Sequence, residues 1–168
     1  MVKQRKRVVL VLVDGSSAAE AAVRFFANTV MRSNDVVRFA HFKAVPKRQL
    51  PPAGSHGHEQ TGSTESAYLT ATESDFFHKL ESYILEVEEV ENVKVEHRTY
   101  LCAEGKHELC QAIESVISRP ENKVDLVVMG SRGLSALEKM RGLGGTSDYI
   151  AKRCGHPVLR VPYPCVVC

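Results

Sequence analysis

Val124 to Tyr149 reads VDLVVMGSRGLSALEKMRGLGGTSDY, and its opening run decides how the rest of the chain is read. Leu126, Val127, Val128 and Met129 form an apolar stretch too short for a helix and without a polar face. That is the pattern of a parallel strand covered on both sides, and strand four is placed at Val124 to Met129. Gly130 and Gly133 follow directly, and Gly144 and Gly145 precede Thr146, Ser147 and Asp148, which read as a helix start. Glycine turns and helix N termini expose backbone N–H groups, and the helix dipole adds roughly half a positive charge. The stretch therefore predicts two glycine turns flanking one phosphate-bearing ligand.

Outward from this stretch, strands and helices alternate. Arg7 to Val13 is a continuous β-branched and leucine run, read as strand one, and it ends in the turn Asp14-Gly15-Ser16. Ser17-Ala18-Ala19-Glu20 has capping-box spacing, and Ala21, Ala22, Phe25, Phe26 and Val30 follow at helical intervals. Asp35 to Val45 supplies strand two. Pro46 to Ser66 is rich in Pro, Gly, Ser and His without apolar period, and reads as a mobile loop. Phe76, Phe77, Leu80, Tyr83, Ile84 and Val87 trace the stripe of helix two, with Glu81, Glu86, Glu88 and Glu89 on the wet side. Val93 to Leu101 alternates as strand three. Leu109, Ala112, Ile113, Val116 and Ile117 mark helix three, Ser147 to Arg153 the last helix, and Pro157 to Pro162 a short final strand. This order predicts an α/β fold with right-handed crossovers, a mainly parallel sheet and helices on both faces. In such sheets ligands sit beyond the carboxyl ends of the strands where the winding reverses. If strands one and four are neighbours, Asp14-Gly15 and Gly130-Ser131-Arg132-Gly133 meet at one crevice.

At 168 residues the chain fits one domain, with a core over about 7–161. A chain of this length buries roughly two-thirds of its unfolded surface and needs no disulfide or metal staple. A formal charge of +2 gives no footing for nucleic acid. No run reaches the roughly 18 apolar residues of a membrane span. Cys102, Cys110, Cys154, Cys165 and Cys168 are odd in number and lack scaffold spacing, so the reducing cytoplasm is the expected compartment. Met1 to Arg7 with Val8 to Val13 imitates a leader, but the apolar run is short and Asp14 ends it. His56-x-His58 has no ligand cluster beside it, and Cys165-x2-Cys168 has no second pair, so no metal site is expected. No nucleophile elbow and no acid–base carboxylate pair is visible, and catalytic residues are expected to be none. Neither GxGxxG nor GxxxxGK[ST] occurs, so a phosphate would be held in another way.

In these residues the chain resembles the universal stress protein family. The family pattern G-x2-G-x9-G-[ST] follows the fourth strand. Here Gly130-x2-Gly133 is separated from Gly144 by ten residues, and Gly145 stands in the Ser/Thr place. A second register pairs Gly145 with Thr146 across a longer spacer. Val13-Asp14-Gly15-Ser16, His41-Phe42, Gly105, Ser147-Asp148-Tyr149 and His156-Pro157-Val158-Leu159 add to the likeness, which spans about 7–161.

The resemblance implies a five-stranded, doubly wound sheet of order 3-2-1-4-5 and a pocket for ATP or another adenine nucleotide, with or without Mg²⁺. Leu12 and Asp14 would meet the ribose or base, Phe42 would back the adenine, and Met129 at the end of strand four would also bind the nucleotide. Gly130, Gly133, Gly144, Gly145, Thr146 and Ser147 would surround the phosphates. Asp14 reads equally as a turn or cap residue. Arg132, Lys139 and Arg141 are cations of the intervening arch, and Asp148 would repel a phosphate unless Mg²⁺ or an arginine intervened. His41 reads as structural. The family also implies a homodimer through residues 158–161 and a cytoplasmic regulatory or stress-response role. A non-nucleotide interaction module of the same fold and a slow ATPase stand as alternatives.

Overall fold

The run VVLVLV at Val8–Val13 forms β1, and its alternation sends successive side chains to two different cores. Val9, Val11 and Val13 enter one cluster and Leu10 and Leu12 the other, which requires helices on both faces. The computed structural model describes residues 5–50, 71–88, 92–131 and 145–163. Gly133, Gly144, Arg132, Lys139, Arg141, His56, His58, Cys165, Cys168 and most of the 46–66 loop lie outside the described residues, as do the side chains of Phe76 and Phe77.

Around β1 the chain places α1 (Ser17–Phe25), β2 (Val36–Val45), α2 (Ala71–Glu88), β3 (Lys94–Ala103), α3 (Lys106–Ser118), β4 (Leu126–Ser131), α4 (Thr146–Arg153) and β5 (Val158–Pro162). The described sheet has five strands, all parallel, in the order β3-β2-β1-β4-β5. The winding reverses between β1 and β4, whose register pairs Val9 with Leu126 and Val11 with Val128. Helices α1 and α2 cover the face of Val9 and Val11 through Ala22, Val23, Leu80, Tyr83 and Val87. Helices α3 and α4 cover the face of Leu10 and Leu12 through Ile113, Val116, Ile117 and Ile150. The expected fold class and strand order are both found.

Several local expectations are corrected. The cap of α1 is Ser16, whose Oγ accepts from the Ala19 N–H at 3.2 Å, one residue before the expected capping box. The buried face of α1 is Ala18, Ala19, Ala22 and Val23, followed by Phe26, while Ala21, Phe25 and Val30 are only partly covered. The helix also widens at Phe26–Val30 into a π turn, where the Met31 N–H donates to the Phe26 carbonyl at 2.9 Å, so a strict 3.6-residue stripe loses phase there. Gly130 is not a turn residue. It lies inside β4, opposite Val161 of β5.

β2, β3 and the 3-10 turn Pro120–Asn122 after α3 share a polar cluster. Arg38 is buried, donates to Glu96 at 3.1 Å and to the Asn122 side-chain oxygen at 3.2 Å. The hydrogen bond from Lys94, at 2.7 Å, together with Arg38 holds the Glu96 carboxyl below its usual range, against the opposing pull of burial. Because the folded value lies below that of the unfolded chain, this stabilisation is present above the ordinary value of 4.5 and is lost as the pH falls through the folded value. Glu96→Gln is expected to remove that share, flattening the fall of Tm between about pH 6 and pH 3; an unchanged slope would show that Glu96 is not a source of it.

Candidate functional site

The carboxyl ends of β1 and β4 open onto a cleft of about 430 Å³, within the range of small-molecule sites. Its walls follow from the alternation already described. Leu12 of β1, Ala40 and Phe42 of β2 and Met129 of β4 line it with Leu109 and Ile113 of α3, giving one apolar side. Phe42 is itself held by stacking on Tyr100, ring centroids 5.1 Å apart, so the wall is backed by a second aromatic layer. Ser131, Gly145, Thr146, Ser147, Asp148 and Arg160 supply a polar side from β4, α4 and β5. Asp14 and Ser16 stand at the β1 exit between them.

The structure thus brings Leu12, Asp14, Phe42, Met129, Gly130, Gly145, Thr146 and Ser147 to one cleft. Each has a local account. Gly15 takes φ of +73°, which an L side chain resists, and so turns the chain sharply after Asp14. The Asp14 Oδ1 accepts the Ser16 N–H at 3.0 Å, which shapes the turn. Gly130 is required by packing: a Cβ there would stand 2.3 Å from the Ala18 carbonyl oxygen, because α1 crosses β4 backbone to backbone. His41, expected to be structural, is half-buried and does not line the cleft.

The N terminus of α4 is less open to an anion than its sequence implies. The Gly145 N–H donates to Asp148 Oδ2 at 3.3 Å, a side-chain cap supplied from within the helix. The Thr146 side chain hydrogen-bonds the buried thiol of Cys110, whose pKa is pushed up chiefly by burial, with that bond acting the other way. The N–H groups of Thr146 and Ser147 remain, since the first amides of a helix have no intrahelical acceptor. Asp148 in turn meets Arg160 across 2.6 Å. Of the two neutralising partners the sequence allowed for Asp148, Mg²⁺ or an arginine, β5 supplies an arginine.

Sequence reasoning missed Arg160, Ser16, Leu109 and Ile113 as cleft residues. The signal for Arg160 was present: it is the one charged residue in the otherwise apolar β5 run VLRVP. Among the described residues no three His, Cys, Asp or Glu side chains gather as a metal site, and no helix is long and apolar enough to cross a membrane.

A parallel sheet reversed between β1 and β4, with a cleft at that reversal, defines a doubly wound α/β protein. The model of the universal stress protein family matches residues 6–162, and the chain belongs to that family. Among solved structures it is similar to a universal stress protein in complex with cAMP, with 20% identity, 95% of this chain and 98% of that chain covered, and a TM-score of 0.62. It is also similar to a universal stress protein from Lactobacillus plantarum, at 17% identity over 94% of this chain and 99% of that one, with a TM-score of 0.53. A family protein from Burkholderia pseudomallei matches at 15% identity over 92% and 95% of the two chains, with a TM-score of 0.52. These likenesses bear on the fold. Comparison with curated proteins gives no match.

Proposed function

We propose that the chain binds an adenine nucleotide, ATP or a related phosphate, in the switch-point cleft and acts as a single-domain cytoplasmic protein that reports nucleotide state. The observation that carries this reading is the two-sided cleft, apolar at Leu12, Ala40, Phe42 and Met129 and polar at the start of α4. A flat aromatic base fits the first side, Asp14 faces a ribose, and the Thr146 and Ser147 amides face a phosphate. Gly145 leaves backbone bare beside that phosphate, and Gly133 and Gly144 are assigned the same role from the sequence alone, while Gly130 lines the cleft with its missing side chain accounted for by α1. The cAMP complex of a similarly folded protein supports the choice of adenine.

Isothermal titration with ATP, ADP and AMP, with and without Mg²⁺, is expected to give saturable heat; none at millimolar ligand would overturn the reading. A second reading, an interaction module without nucleotide, is favoured by two donors already engaged, the Gly145 N–H and the Thr146 hydroxyl. Retention of nucleotide absorbance through purification separates the two. We further propose a homodimer through residues 158–161. β5 is an edge strand of the described sheet, and an unpaired edge invites a second copy. Light scattering on the same samples is expected to give twice the chain mass, and a monomer at high micromolar concentration would remove this part.

A further inference from the structure

The polar side of the cleft carries one feature that general nucleotide binding does not require, the ion pair between Asp148 and Arg160. β5 alternates between the two faces of the sheet: Leu159 packs with the α1 and α2 core and Val158 with the α3 and α4 core. Arg160 is therefore on the α4 face, in register with Met129, where an aliphatic side chain would continue the pattern. β5 is an edge strand, where a charge by itself is ordinary; what marks Arg160 is that it lies on the cleft wall and is paired there with Asp148. Both side chains line the cleft and both are partly open, 38% for Arg160 and 24% for Asp148. The pair is reachable by a ligand.

Asp148 is doubly engaged, by the Gly145 N–H at 3.3 Å and by Arg160 at 2.6 Å. Its carboxylate neutralises the one cation that the described residues place on the cleft wall. Arg160 is a planar, permanently charged donor suited to phosphate as well as to carboxylate. A phosphate entering beside Thr146 competes with Asp148 for the same guanidinium.

We propose that Arg160 is the residue by which the cleft distinguishes a nucleotide from its nucleoside, and that Asp148 is an internal competitor that holds Arg160 until a phosphate displaces it. This rests on the nucleotide reading above and deepens it: affinity for the phosphate is set by the exchange of one anion for another on Arg160. The pair makes the free cleft neutral on this wall, so non-phosphate anions of low charge density gain little there. An adenosine moiety without phosphate leaves the pair closed.

The test is a double-mutant cycle read with two probes, AMP and adenosine, by titration calorimetry on the full chain. Asp148→Asn keeps an oxygen to accept the Gly145 N–H while freeing Arg160, and is expected to tighten AMP about tenfold without moving adenosine. Arg160→Gln is expected to weaken AMP about tenfold, again with adenosine unchanged. In the Arg160→Gln background the gain from Asp148→Asn should vanish, because the competitor has nothing left to compete for. A gain that persists there would overturn the proposal, showing simple repulsion between Asp148 and phosphate. Equal changes for AMP and adenosine would also overturn it, as a general distortion of the cleft. If the unmodified chain binds neither probe, the nucleotide reading itself falls; if it binds both and the cycle shows no coupling, only the role of Arg160 falls.

Discussion

Gly130→Ala is expected to destabilise the folded chain by about 3 kcal/mol, the upper part of the usual range for overpacking. The magnitude follows from what the new methyl group would meet. Its nearest neighbours would be the Ala18 carbonyl oxygen at 2.3 Å, the Ala18 carbonyl carbon at 2.4 Å and the Ala19 amide nitrogen at 2.9 Å. All three are backbone atoms of α1, so no rotamer change relieves the clash, and the helix must lift from the sheet. Ala18 and Ala19 line the cleft, and Ser16 caps the same helix, so lifting α1 should also weaken any ligand held there. Urea unfolding reads the loss as a lower midpoint; a variant within about 0.5 kcal/mol of the parent chain would refute the close crossing. Gly145→Ser is the control. A Cβ at Gly145 meets nothing nearer than the Ser147 Oγ at 3.7 Å, its φ of −64° is ordinary, and serine is a favoured helix cap, so the change should be nearly neutral for stability.

The contrast between these two glycines shows how far the sequence could be read. Both were assigned to a phosphate turn, on the ground that glycine bares the backbone. Gly145 is the N-cap of α4 and lines the polar side of the cleft. For Gly130 the reason is a helix approaching from the other face of the sheet, a contact between segments more than a hundred residues apart that no local pattern encodes. Spacing alone cannot separate a glycine needed by a ligand from one needed by a neighbour.

The strands were legible because β1 and β4 are covered on both faces, and continuous apolar runs have few other uses in a chain that alternates with helices. Their order was not legible in this way; it came with the family resemblance, and the pairing of β1 with β4 then placed Leu12, Asp14 and Met129 together. Helix phase was less secure. The stripe of α1 was drawn through Ala21, Ala22, Phe25, Phe26 and Val30, of which Ala22 and Phe26 are buried, whereas the close contact with β4 also selects the small residues Ala18 and Ala19. Cys110 entered the sequence reading only in the cysteine count, and it is core, a common use of a small, soft side chain. Arg160 was passed over because its meaning depends on Asp148, which reaches it only through the packing of α4 against β5.

Asp35→Ala is expected to remove about 3 to 5 kcal/mol of stability, the largest effect of any single change proposed for this chain, while leaving the cleft intact in the molecules that remain folded. Asp35 is buried at the start of β2 and receives the Arg7 Nε at 3.0 Å, a second Arg7 nitrogen at 2.5 Å and the Arg32 N–H at 2.9 Å. Arg7 also donates to the Val30 carbonyl at 3.0 Å, one of the acceptors freed where the π turn ends the first helix. One carboxylate therefore ties together the entry to β1, the end of the first helix and the entry to β2. Alanine would leave the guanidinium partly enclosed, with a side-chain exposure of 21% and no anion beside it. Removing both partners, as in Arg7→Met with Asp35→Ala, should recover part of the loss, because the uncompensated charge is then gone. The pair sits at the amino end of the strands, whereas the cleft opens at their carboxyl ends, where Val13 and Ser131 lie. Chemical unfolding together with ligand titration of the folded fraction tests both halves of the expectation. A loss below about 1 kcal/mol would show the buried pair to be weakly coupled to the fold, and a changed ligand affinity at full folding would show that the two ends of the sheet communicate.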